Sequence, residues 1–309
     1  MKLPVLFVHG IGGSDERWAE PIIARLERKV LAELRAILRQ RAPHRASEVL
    51  VCRSVYWKTA LEEPQRSLQR ILTAYLGAVR AALSPIEAVF RAVLKRVHKL
   101  QSTVVPLFIG DIIGYLAVEG KLGVEKRFTE ALDALLTDAR GKDVPLTIVS
   151  HSLGTVVTSN YIYDRMSEHR ARGINRMDTR YILHNLYTAG SPLALFSMKF
   201  GGPEHFDRPV SVEHPRGLWI NVIDKDDPVS MPLRPLNTAY AHAVHADYAV
   251  DSGWNWGDAH MRYFERTDTL DIIARKLAID WVACNASLPA ADIERLYRDY
   301  DQRIARRSG

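Results

Sequence analysis

Cysteine is nearly absent: Cys52 and Cys284 are the only two in 309 residues. Two thiols cannot build a disulfide framework, and no Cys-x-x-Cys or Cys/His cluster has the spacing of a structural zinc site. Long apolar runs are missing as well. The longest nearly uncharged stretch, residues 104–118, is 15 residues long and is interrupted by Pro106, Gly110, Asp111 and Gly114. A bilayer span needs about 20 residues. The apolar run from Val5 to Val8 passes at once into His9-Gly10, too short for a signal peptide and without a small-residue cleavage site. There is no internal repeat and no low-complexity segment. Charge of one sign is scarce: Lys+Arg 42 against Asp+Glu 36 leaves +6, too mild a surplus to imply nucleic acid. These absences predict a cytoplasmic protein without a structural zinc cluster.

What is present is the composition of a globular chain, 47% hydrophobic and 25% charged. Residues 3–8, 49–57, 144–150, 183–188, 218–223 and 243–250 read as short, near-continuous apolar strands, the last being the weakest. Helical patterns separate them. Residues 18–38 carry Ile22, Ile23, Leu26, Val30, Leu34 and Leu38 at three- and four-residue spacing. Residues 152–170, 269–282 and 292–307 are further helices. Apolar strands alternating with helices predict an α/β fold whose mostly parallel sheet has helices on both faces.

One region breaks the alternation. Residues 64–120 are longer than a crossover needs and read as helices over 66–83 and 85–100, followed by the apolar run. The domain reading is therefore a core of residues 1–57 and 120–309 with a helical cap insertion at 58–119. Residues 64–100 hold seven basic residues and one acid, Glu87, a surplus equal to that of the whole chain. Ile86, Val89, Phe90, Val93, Leu94, Val97 and Leu100 form an apolar helical face, with Arg91, Lys95, Arg96, His98 and Lys99 opposite. Such a helix suits either a solvated cap surface, the favoured reading, or peripheral contact with an anionic membrane.

The strongest chemical signal is Thr147-Ile148-Val149-Ser150-His151-Ser152-Leu153-Gly154, an apolar strand entering a tight turn and then a helix. In this context Gly-x-Ser-x-Gly acts as a nucleophile elbow, with Ser150 here in place of the first glycine. An N-capping serine on an ordinary turn is the plain alternative. A second signal is His9-Gly10-Ile11-Gly12 after the first strand. A glycine-rich turn there can aim a backbone N–H at a substrate oxygen. A phosphate loop is excluded because both the Lys-Ser/Thr of a P-loop and a Gly-x-Gly-x-x-Gly spacing are missing.

Together with Gly190-Ser191-Pro192, Asp226-Asp227-Pro228-Val229 and the late His260, these pieces resemble the α/β-hydrolase superfamily, on its lipase and esterase side. The resemblance covers about residues 1–57 and 120–285 and keeps the chain order nucleophile, acid, histidine. It implies Ser152 as nucleophile, Asp227 as acid ahead of Asp224 and then Asp226, and His260 as base. His242 and His245 are expected to be buried structural histidines in or before the last strand. Ile11 and Leu153 would supply the oxyanion-hole N–H groups, and His9, Gly10, Gly12, His151, Gly190 and Ser191 would line the substrate. The implied activity is hydrolysis of a small-molecule or lipid ester through an acyl-enzyme, chemistry that needs no metal and no cofactor. A thioesterase or amidase on the same fold, and a non-catalytic binding module on a hydrolase-like scaffold, stay open.

Overall fold

The computed structural model describes residues 1–10, 16–57, 60, 118–141, 143–174, 176–178, 180–253 and 256–308. The chain divides into two compact units, one of Met1–Gly10, Glu16–Val55 and Glu130–Gly309, the other of Ile11–Asp15 and Tyr56–Thr129. Most of the expected cap, including the basic helix at 85–100, lies outside the described residues.

In chain order the main elements are β1 (Leu3–Val8), α1 (Glu20–Leu38), β2 (Leu50–Val55), α2 (Val118–Ala139), β3 (Val144–His151), α3 (Leu153–Ala171), β4 (Tyr181–Ala189), α4 (Leu193–Phe196), β5 (Leu218–Asp224), α5 (Thr238–Ala243), β6 (Ala246–Val250), α6 (Trp256–Met261), α7 (Tyr263–Arg266), α8 (Thr269–Asn285) and α9 (Ala290–Ala305). The six strands form one sheet in the order β2-β1-β3-β4-β5-β6, and every described pairing is parallel. The central strands are buried along nearly their whole length, as β1 shows with all six residues buried. This is the burial expected of a parallel sheet covered on both faces.

Alternation along the strands divides the core. Leu3, Val5 and Phe7 join Tyr187, Ile220 and Val222 in one cluster with Leu26, Val30 and Leu34 of α1 and Ile273, Leu277 and Val282 of α8. Leu6 and Val8 point the other way. From β1 the chain crosses to β2 on one side, and from β3 it crosses to β4 on the other. Right-handed crossovers in opposite directions put α1 and α3 on opposite faces. The strand order therefore reverses between β1 and β3, and the carboxyl ends of strands beside such a reversal are where open α/β sheets bind ligands.

Two local expectations are revised. Residues 243–250 do not form one strand: Asn237 caps α5 by accepting from the Tyr240 N–H, and β6 begins only at Ala246. His242 and His245 consequently sit on a short helix and the turn after it, and both are exposed rather than buried. The helix α2 was not anticipated from its sequence pattern. Its apolar residues Phe128, Leu132 and Leu135 follow helical spacing, but Gly120 and Gly123 blur its start.

Candidate functional site

The turn from β3 into α3 holds Ser152 at φ 53°, ψ −131°. A residue other than glycine at positive φ carries strain of about 1–3 kcal/mol and persists only where its surroundings hold it. Here the end of β1 supplies the hold. A Cβ on Gly10 would lie 2.3 Å from Ser152 Cβ, and one on Gly154 would lie 2.2 Å from the His9 carbonyl oxygen. The two glycines let the turn and the β1 end interlock, and any side chain at either would push them apart. Ser150 explains its own departure from glycine: its buried hydroxyl donates to the Tyr187 carbonyl on β4 at 3.1 Å.

Three side chains from distant parts of the chain meet at this turn. Ser152 Oγ donates to His260 Nε2 at 2.8 Å, and His260 Nδ1 donates to Asp227 Oδ2 at 2.9 Å. Asp227 lies in the loop after β5, and His260 lies on α6 beyond β6. The Asp227 carboxylate also accepts from the Val229 N–H at Oδ1 and from the Tyr263 hydroxyl at Oδ2, each at 2.9 Å. Burial by itself would raise this carboxyl, but the hydrogen bonds from His260, Val229 and Tyr263 outweigh it and hold it below the ordinary carboxylate value. Because Nδ1 donates to Asp227, Nε2 is left as an acceptor facing the hydroxyl.

The other two carboxylates of the β5 loop are placed differently. Asp226 is exposed. Asp224 is buried and ties the loops together: it accepts from the Asp226 N–H at 2.9 Å and from the N–H and hydroxyl of Ser252. The Ser252 hydroxyl also lies 2.7 Å from the Ala259 carbonyl, one residue before His260. Asp224 thus braces the segment that carries the histidine, without touching the imidazole.

The remaining expected site residues contact the protein itself. His151 donates from Nε2 to the His260 carbonyl at 2.7 Å, with the two rings 5.0 Å apart. Burial and the facing His260 ring push its imidazole down to about 3, against a smaller opposing effect of that hydrogen bond. It stays neutral at ordinary pH. His9 is buried edge-on against Trp18, its Nδ1 donating to the Gly10 carbonyl. The Ser191 hydroxyl is buried and bonded to Thr155 Oγ1 at 2.8 Å. Gly190, at φ 58°, backs the Asp227–His260 pair. Leu153 opens α3, so its N–H has no acceptor within the helix. Ile11 and Gly12 lie outside the described residues.

Neither His242 nor His245 reaches Ser152; His245 instead lies 3.7 Å from Asp301. Sequence reasoning missed Tyr263 and Ser252. The His-x-x-Tyr spacing of His260 and Tyr263 was the one available signal for the former. Among the described residues no group of His, Cys, Asp or Glu could hold a metal ion, and no helix is long and apolar enough to cross a membrane. The chain matches no protein-family model and no curated protein.

Proposed function

We propose that this protein is a serine hydrolase of the α/β-hydrolase type that cleaves carboxylic esters. One observation carries the reading: the unbroken hydrogen-bonded chain from Ser152 through His260 to Asp227, at the carboxyl ends of the strands beside the reversal of the sheet. Ser152 Oγ attacks the ester carbonyl as its proton passes to His260 Nε2. Asp227 holds the imidazole in the required tautomer and stabilises the imidazolium that forms. The proton then goes to the departing alkoxide as the C–O bond breaks, leaving an acyl group on Ser152. Water, deprotonated by the same histidine, releases the acid. The Leu153 N–H, at the positive end of α3, supports the oxyanion.

The preference for an acyl or lipid ester rests on the apolar and basic sequence of residues 64–100. It is tested by sedimentation with phosphatidylglycerol vesicles at low and high salt, binding at low salt and release at high salt being expected. The hydrolase reading is tested by labelling with a fluorophosphonate probe. Wild type should be labelled and Ser152→Ala should not. Turnover of p-nitrophenyl butyrate, its thioester and its anilide then ranks ester, thioester and amide. A wild-type protein that neither takes the probe nor turns over any of the three would return the chain to the class of binding modules.

A further inference from the structure

Tyr263 is fully buried at the start of α7, three residues beyond His260. A buried phenol needs a hydrogen-bond partner, and a backbone carbonyl would suffice. Its partner here is Asp227 Oδ2, the oxygen that already accepts His260 Nδ1–H. The segment His260-Met261-Arg262-Tyr263 therefore grips one carboxylate oxygen with two donors. The packing is close: a Cβ on Gly190 would lie 2.9 Å from Tyr263 Cε2, 3.1 Å from Asp227 Oδ2 and 3.3 Å from His260 Nδ1. Burial and the neighbouring Asp227 charge hold the phenol well above its ordinary value, so it remains a donor throughout the working range.

We propose that Tyr263 is a positioning residue for the Ser152–His260–Asp227 chain, fixing the Asp227 carboxylate against His260 and moderating its pull on the imidazole proton. The inference rests on the hydrolase reading. The groups that face His260 are Asp227 from the β5 loop, Ser152 and His151 from the end of β3, and Tyr263 from its own segment. Asp224 acts on Tyr263 from the same loop as Asp227, and His9 acts on His151 from the end of β1. Of these, Tyr263 alone donates to the carboxylate oxygen that His260 uses. Removing its hydroxyl leaves more of the carboxylate charge directed at the imidazole, which favours the imidazolium. His260 would then hold its proton to a higher pH.

Tyr263→Phe removes the hydroxyl and keeps the ring. The expected result is a fall of about tenfold in kcat on p-nitrophenyl butyrate with KM within about twofold. The acid limb of kcat/KM should move up by about 0.5 pH units. The His260 imidazole titration, followed by NMR and assigned with His260→Gln, should move in the same direction without any substrate. Difluorotyrosine placed at position 263 is a stronger donor of nearly the same shape and should move both readouts down, which keeps the test open if Tyr263→Phe folds poorly. Unchanged kcat and acid limb, or a lower kcat with both titrations unmoved, would overturn the proposal. Fluorophosphonate labelling of wild type is run alongside: its failure strikes the hydrolase reading, whereas the NMR titration still decides whether Tyr263 acts on the pair.

Discussion

Asp227 and Asp280 are both buried carboxylates that accept a hydrogen bond from a tyrosine and lie beside a histidine. At Asp280, on α8, the tyrosine is Tyr297 at 3.0 Å and the histidine is His184, with Nε2 at 3.2 Å. The Lys276 ammonium, itself buried, adds an ion pair at 2.6 Å, and Asn185 Nδ2 donates at 2.9 Å. At Asp227 no lysine or arginine among the described residues makes an ion pair; the histidine stands alone against the charge. The far nitrogens differ too. His260 Nε2 meets the Ser152 hydroxyl, whereas His184 Nδ1 has no hydrogen-bond partner and its ring lies tilted against His214 at 4.3 Å between centroids.

The contrast separates a brace from a poised group. Lys276 shares the Asp280 charge with His184, so that carboxylate is already paired with a cation. Its cluster joins β4 to α8 and α9 in the body of the domain, where breaking it leaves a buried charge unpaired. Asp227 has a histidine and a hydroxyl in line with it, at the carboxyl ends of the interior strands β3 and β5. The residue types are nearly the same in both clusters; position and the missing cation make the difference.

The comparison is broken most severely at Ser152. Ser152→Ala should lower turnover of p-nitrophenyl butyrate by about 10⁴-fold or more, with the thermal unfolding midpoint close to wild type. Retained activity would remove Ser152 from the chemistry. Asp227→Asn should follow, with a loss of about 10³-fold, because asparagine favours the wrong imidazole tautomer. Asp224→Asn should cost about tenfold, since it loosens only the Ser252 brace. The reverse ranking would give the acid role to Asp224.

At the other cluster the effect should fall on stability. Asp280→Ala strands the Lys276 ammonium and should destabilise by about 3–5 kcal/mol in urea denaturation, with kcat of the folded protein within about twofold. A large loss of kcat in folded protein would erase the distinction between the clusters. The smallest effect concerns pH. His151 is held neutral, its folded-state value near 3 lying below the unfolded one. Between those values the unfolded chain binds a proton that the folded protein does not. His151 therefore lowers stability as pH falls from about 6.5 toward 3, and its neutral form is fully accommodated above that window. Replacing it with Gln should flatten the slope of unfolding free energy against pH by up to about one proton per molecule, measured between pH 7 and pH 5. An unchanged slope would show that His151 protonates freely.

Much of this arrangement was legible in the sequence. Each of the six expected segments overlaps one strand, because buried parallel strands such as β1 and β3 need an apolar residue at nearly every position; β2, with only Leu50 and Val55 buried, and β6, which begins at Ala246, fit that pattern less well. The Ser150-His151-Ser152-Leu153-Gly154 turn announced itself through the small residues that a close strand-to-helix turn demands. Chain order left His242, His245 and His260; the glycine- and aromatic-containing loop pointed to His260, whereas the burial expected of the other two did not hold. What stayed hidden depended on neighbours far along the chain. Asp224 at the end of β5 and Asp226 and Asp227 in the turn beyond it are alike in local propensity, and only the family resemblance ranked Asp227 first. The structure places Asp227 against His260 and Asp224 against Ser252, and leaves Asp226 in solvent.

The sequence by itself determined the alternation of strands and helices and the presence of a tight turn at Ser152, since both follow from periodicity and from small residues within a short stretch. Tertiary structure alone decided the strand order that reverses between β1 and β3, the exposure of His242 and His245, and the meeting of Ser152, Asp227, His260 and Tyr263. The reason is reach. A local pattern specifies which face of an element is apolar, but a hydrogen bond between residues 108 apart in the chain, as between Ser152 and His260, forms only once the sheet has brought their strands' ends together.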